Sequence, residues 1–80
     1  MKSNLCLARQ VGLALRCIRH ERGVRQYHVA ELARITGPML SRYESGRTCP
    51  TLAVLVKVLQ ALDCSAEEFG KRLGLLECYA

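Results

Sequence analysis

Apolar residues recur along this chain at helical spacing, interrupted at intervals by residues that end one helix or begin the next. Leu7, Val11, Leu15 and Ile18 form one helical face, with Ser3 or Asn4 placed to cap its start and Gly23 to end it as a left-handed C′ residue. A short second helix runs from about Gln26 to Ala33. Thr36 is a good N-cap for a third, with Pro38 in its first turn and Gly46 closing it. Thr51, after Pro50, can cap a fourth helix whose apolar stripe is Leu52, Leu55, Leu59 and Leu62. Ser65 with Glu68 spells a capping box for a fifth, in which Phe69 and Leu73 point inward. No segment alternates convincingly as a strand, and the Val-rich run at 53–58 sits inside a longer helical pattern. The pattern predicts an all-α bundle of about five helices.

The second and third of these helices are joined by Arg34-Ile35-Thr36. A connection this short sets two helices at a steep angle, so that the second can project into the major groove of DNA. Val29, Ala33, Ile35, Leu40 and Tyr43 supply the apolar inner faces such a unit needs, and the small Ala30 falls where the helices cross. Other small bundles also have short loops and apolar stripes, so the spacing alone leaves the function open.

Length and charge narrow the classes. Eighty residues make a single domain, 1–80, and a core this small is marginal enough that dimerisation is a common way to bury more. With one Phe and no Trp, a large aromatic ligand pocket is not expected. The net charge is +5, and it is unevenly placed. Residues 1–62 carry ten Lys and Arg against three acids, whereas residues 63–80 carry two against four. A basic body with a mildly acidic tail suits a polyanion met by one face.

The five cysteines, Cys6, Cys17, Cys49, Cys64 and Cys78, include no CxxC pair, and His20 and His28 follow no zinc-finger spacing. They read as reduced thiols, with Cys17 and Cys64 in apolar segments of the core, so no metal and no cofactor is expected. Arg9 and Gln10 break the only N-terminal apolar run, which leaves no signal peptide or membrane span and points to the cytoplasm, at the nucleoid. No nucleophile sits with a base, no carboxylates pair and no Gly-rich loop could cradle phosphates, so an enzyme is not expected.

The ordered residues Gly12, Leu15, Arg16, Ile18, Arg19, Gly23, Gln26, Ala30, Thr36, Glu44, Gly46, Pro50, Thr51 and Leu52 resemble the pattern of the lambda-repressor-like Cro/C1 (XRE) helix-turn-helix family. The likeness covers about residues 11 to 70 and runs without gaps through Gly46. It implies a five-helix DNA-binding domain, with the helix-turn-helix unit at about 26–45, acting as a sequence-specific regulator of transcription.

The resemblance also assigns roles. Gln26 opens the second helix, where the family's Gln meets a phosphate or an adjacent base. Arg25 is a further phosphate contact; it stands where the family has a Ser or Thr cap, a loss of about 1 kcal/mol. Arg19 and Glu44 match the family's internal ion pair. In the recognition helix opened by Thr36, the base-reading positions fall on Gly37, Pro38, Ser41 and Arg42, with Arg42 suited to guanine O6 and N7. Gly37 and Pro38 lack polar side chains, so either Pro38 or Met39 touches a thymine methyl or this end approaches the backbone closely, and DNA shape carries more of the specificity. Arg47 and Thr48 grip backbone phosphate. Arg34 replaces a Gly common in the family's turn, at a cost of about 1 kcal/mol.

In the tail, 71–80, the apolar residues Leu73, Leu75, Leu76 and Tyr79 are the expected contact of a homodimer on a palindromic operator. Phage repressors, restriction-modification controllers and antitoxins all share this plan. The competing class is a protein-interaction module on the same fold, antitoxin- or coactivator-like, whose main partner is another protein.

Overall fold

The computed structural model describes residues 4–77, with side chains from Leu7 to Gly74. Within them the chain forms five helices, α1 (Asn4–Arg22), α2 (Gln26–Ala33), α3 (Gly37–Glu44), α4 (Leu52–Ala61) and α5 (Ala66–Glu77), and no strand. Helix α1 lies across α3 and α5, α2 packs on α3 and α4, and α4 meets α5.

The Ser3 cap expected for α1 lies outside the described residues; α3, α4 and α5 start where side-chain oxygens satisfy the first backbone donors. Thr36 Oγ1 accepts from the Met39 N–H at 3.1 Å, Thr51 from Val54 at 3.3 Å and Ser65 from Glu68 at 3.0 Å. Helix α2 is the exception, since Arg25 makes no capping bond.

Four of the helices end in one way. The pairs Gly23 and Val24, Arg34 and Ile35, Gly46 and Arg47, and Asp63 and Cys64 each send two N–H groups back to the preceding turn, a left-handed closure that satisfies its last carbonyls. Two of these turns place a non-glycine residue at positive φ, Arg34 at 59° and Asp63 at 55°. The helix-turn-helix connection is thus made in the left-handed form despite its arginine.

The core is built from Val11, Ala14, Leu15, Ile18, Val29, Ala30, Ala33, Leu40, Tyr43, Val58, Leu59, Leu62, Cys64 and Phe69. Three sequence expectations shift. Leu7 is half exposed, because the buried face of α1 runs through Ala8, Val11, Ala14, Leu15 and Ile18, one helical step to the side. Leu52 is 77% exposed: as the first residue of α4 it overhangs the packed stripe, which is Val58, Leu59 and Leu62 flanked by Val54, Leu55 and Ala61. Cys17 is only partly buried, whereas Cys64 lies in the core, where burial above all pushes its thiol pKa up and makes it a poor nucleophile. Cys49 is exposed, and the side chains of Cys6 and Cys78 lie outside the described residues.

Two features missing from the sequence reading fix α1. A Cβ on Gly12 would run into the carbonyl oxygens of Tyr43 and Glu44, the latter at 2.8 Å, so glycine is what lets α1 lie directly on the end of α3. At the C-terminal end of α1, Glu21 accepts two hydrogen bonds from Arg72 at 2.5 and 2.7 Å, while Arg22 reaches Glu68 at 2.9 Å. Arg22 also donates to the carbonyls of Leu62 and Asp63, closing the end of α4. These crossed pairs clasp α1 to α5.

Candidate nucleic-acid interface

Helix α3 turns Leu40 and Tyr43 into the core, which leaves Pro38, Ser41, Arg42 and Ser45 facing outward. Gly37 is half-buried and Met39 lies exposed to one side. Thr36 is exposed, its oxygen engaged by the cap at Met39. Arg25, Arg47 and Thr48 are exposed in the loops flanking the two helices.

The orientation of α3 is set at one buried carboxylate. Glu44, only 8% exposed, accepts from Arg19 Nε at 2.7 Å and from Arg19 Nη2 at 3.0 Å, a two-pronged fork. Its Oε1 also accepts from Gln26 Nε2 at 3.1 Å. Arg19 in turn donates to the Val24 carbonyl at 3.0 Å, in the loop that leads into α2. One carboxylate therefore ties α1, the start of α2 and the end of α3 together. Sequence reasoning found the Arg19–Glu44 pair but missed the bond to Gln26, whose partner lies eighteen residues away.

That bond changes what Gln26 can offer. One N–H of its amide is held by Glu44, which leaves one donor and the carbonyl acceptor in a fixed plane. Gln26 lines a polar cleft of about 220 Å³ together with Arg16, Arg19, Ser41, Glu44 and Ser45.

The arginines fall into two groups. Arg19, Arg22 and Arg72 pair with carboxylates and hold helices together. Among the described residues, no carboxylate lies within ion-pair distance of the other six: Arg25, Arg42 and Arg47 on or beside the α2–α3 unit, Arg34 in its turn, and Arg9 and Arg16 on α1. Among the described residues, no three His, Cys, Asp or Glu side chains converge as metal ligands, and no helix is long and apolar enough to cross a membrane.

The helix-turn-helix family matches residues 15–69, about two-thirds of the chain, including both helices of the unit and the Arg19–Glu44 pair. This chain belongs to the helix-turn-helix family, of the Cro/C1 type. No curated protein matches it. Two crystal structures of the clp gene regulator ClgR from Corynebacterium glutamicum are similar at 31% identity and a TM-score of 0.81, each over 85% of this chain. The match spans 88% of one ClgR chain and 72% of the other.

The expected dimer contact lies mostly outside the described side chains, as Leu75, Leu76 and Tyr79 do. Leu73 is partly buried against the chain's own core, so it serves the monomer first.

Proposed function

We propose that this protein regulates transcription by binding duplex DNA, with α3 in the major groove and the loops around Arg25 and Arg47 on the flanking phosphates. The observation that carries this reading is the sorting of the arginines: those between helices are neutralised, while Arg25, Arg42 and Arg47, around the outward face of α3, have no carboxylate partner among the described residues. Unpaired cations on one face cost little in water and gain strongly from releasing counterions of DNA. ClgR, described as a clp gene regulator, shares the fold, and its role agrees with this assignment.

In this reading Arg42 is the base-reading residue, with Ser41 beside it and the apolar Pro38 and Met39 against the groove wall. Gly37, without a side chain, lets the backbone of α3 come close to the duplex. Thr36 and Thr48 offer hydroxyls to phosphate oxygens. Gln26 presents its remaining donor and acceptor from a plane fixed by Glu44. The protein works in the cytoplasm, at the nucleoid. It acts as a homodimer on a palindromic operator, its recognition helices about 34 Å apart.

One observation favours a second reading, a module whose main partner is another protein: Tyr27 and Leu32 on α2 are 68% and 55% exposed. Titration of a labelled duplex at several salt concentrations separates the two. Binding that weakens linearly in log–log form with salt supports the regulator, and no binding at low salt leaves the interaction module.

A further inference from the structure

The reading above places DNA contacts on α2, α3 and their loops and gives α1 only a structural part. The stripe of α1 that faces α3 holds Arg9, Gly12, Arg16 and Arg19, two turns and more of one helix face. Each is placed differently. Arg9 lies against Gly46, Gly12 touches the Tyr43 and Glu44 carbonyls, and Arg19 is spent on Glu44. Arg16 alone of these arginines lines the cleft with no carboxylate partner among the described residues.

The cleft has a donor-rich wall and a neutral floor. Arg19 and Glu44 cancel one another at its base, with Gln26 bonded to the same carboxylate. At the rim stand the Arg16 guanidinium and the hydroxyls of Ser41 and Ser45, all exposed. The Ser45 hydroxyl donates to the Arg42 carbonyl, which leaves the Ser41 hydroxyl and the Arg16 fork as donors for an incoming group. Ser41 also belongs to the outward face of α3, so a group in the cleft would sit next to the strand that α3 approaches.

Resting on the DNA-binding reading, we infer that Arg16 is a DNA contact from α1, its guanidinium and the Ser41 hydroxyl holding one backbone phosphate of the duplex at the mouth of this cleft. The contact clamps the strand from the side of the first helix, so it sets how deeply α3 enters the groove and carries no sequence information. A purely structural part for Arg16 would be to face the carbonyl end of α3, which favours cations.

Fluorescence anisotropy on a mixed-sequence duplex, from about 50 to 200 mM salt, with the parent, Arg16→Gln, Arg16→Lys and Arg42→Ala, tests this. One phosphate contact is worth about 0.9 in the log–log salt slope. Arg16→Gln should flatten the slope by about that much and weaken binding roughly threefold to tenfold at low salt, on every sequence alike, with an unchanged melting temperature. Arg16→Lys should restore the slope. If the parent and Arg42→Ala behave as DNA binders but Arg16→Gln keeps the parent's slope and affinity, or if it only lowers the melting temperature, the inference about Arg16 falls while the regulator reading stands. If the parent binds no duplex, both fall. Sodium phosphate exchanged for chloride at equal ionic strength should not displace the duplex; displacement lost in Arg16→Gln would make the cleft a free-anion site and overturn the assignment.

Discussion

Gln26 and Glu44 meet at 3.1 Å, joining the first residue of α2 to the last residue of α3 through a carboxylate that Arg19 already holds. The residue at the centre of this junction is buried and charged, so its partners cannot be removed without consequence. Its position also explains why an acid lies so near the surface proposed to meet phosphates: the charge is spent inside the protein.

Removing Arg19 would leave the Glu44 carboxylate buried with only the Gln26 amide. Arg19→Ala is expected to lose about 3–5 kcal/mol of stability. In a domain of this size each kcal/mol moves the melting temperature by about 4–8 °C, so calorimetry reads the effect easily. A double-mutant cycle with Glu44→Gln should be strongly non-additive, and additive losses would mean that the pair is not coupled.

Gly12→Ala should be costly for a different reason. The new methyl would meet backbone carbonyls of α3, which cannot rotate away, and about 1–3 kcal/mol or more should be lost as α1 is lifted from α3. Gly70→Ala, on an open face of α5, is the control and should gain up to about 1 kcal/mol. Equal effects at the two sites in urea unfolding would refute the close-approach argument.

The two non-glycine turns predict gains. Arg34→Gly relieves a left-handed residue at φ 59° and should add up to about 1 kcal/mol, offset in part by the freer unfolded chain. Asp63→Gly should add less, because aspartate tolerates this conformation better. A lower melting temperature for Arg34→Gly would show that the arginine contributes something the turn needs.

Stability should fall on acidification. Glu68 is held below the usual carboxylate range by its bond to Arg22 and then by the Ser65 N–H, and Glu21 by its bonds to Arg72. Groups whose folded pKa is depressed contribute their full stabilisation above the unfolded glutamate value of about 4.3 and lose it as pH drops through the lower folded value. Melting temperatures of the parent should therefore decline below about pH 4.3, and Glu68→Gln should decline less steeply. A parallel decline in both would place the acid sensitivity elsewhere.

Most of this fold was legible because its signals are local. Thr36, Thr51 and Ser65 each cap a helix within three residues, and the inner faces of α2 and α3 repeat at helical spacing, so the helix starts could be read closely. The errors came where a long-range partner decides burial. Leu7 and Leu52 fit the helical period but lie beside or beyond the packed stripe, and Cys17 is left half-covered. In the candidate interface, Arg19–Glu44 was visible through a family pattern, whereas Gln26–Glu44, the Gly12 contact and the clasp of Glu21 and Arg22 to α5 depend on which helices cross. No spacing in a single chain encodes those crossings.

The role of α3 is tested most directly by incubating sheared genomic DNA with the protein at one fixed salt concentration and sequencing what is retained, for the parent, Arg42→Ala and Arg47→Ala in parallel. The parent should enrich one inverted-repeat motif, and Arg42→Ala should lose base preference at its most selective position while Arg47→Ala keeps the motif and merely retains less DNA. Fragments enriched equally, with the same motif, by the parent and Arg42→Ala would contradict the reading of α3 as the helix that recognises sequence.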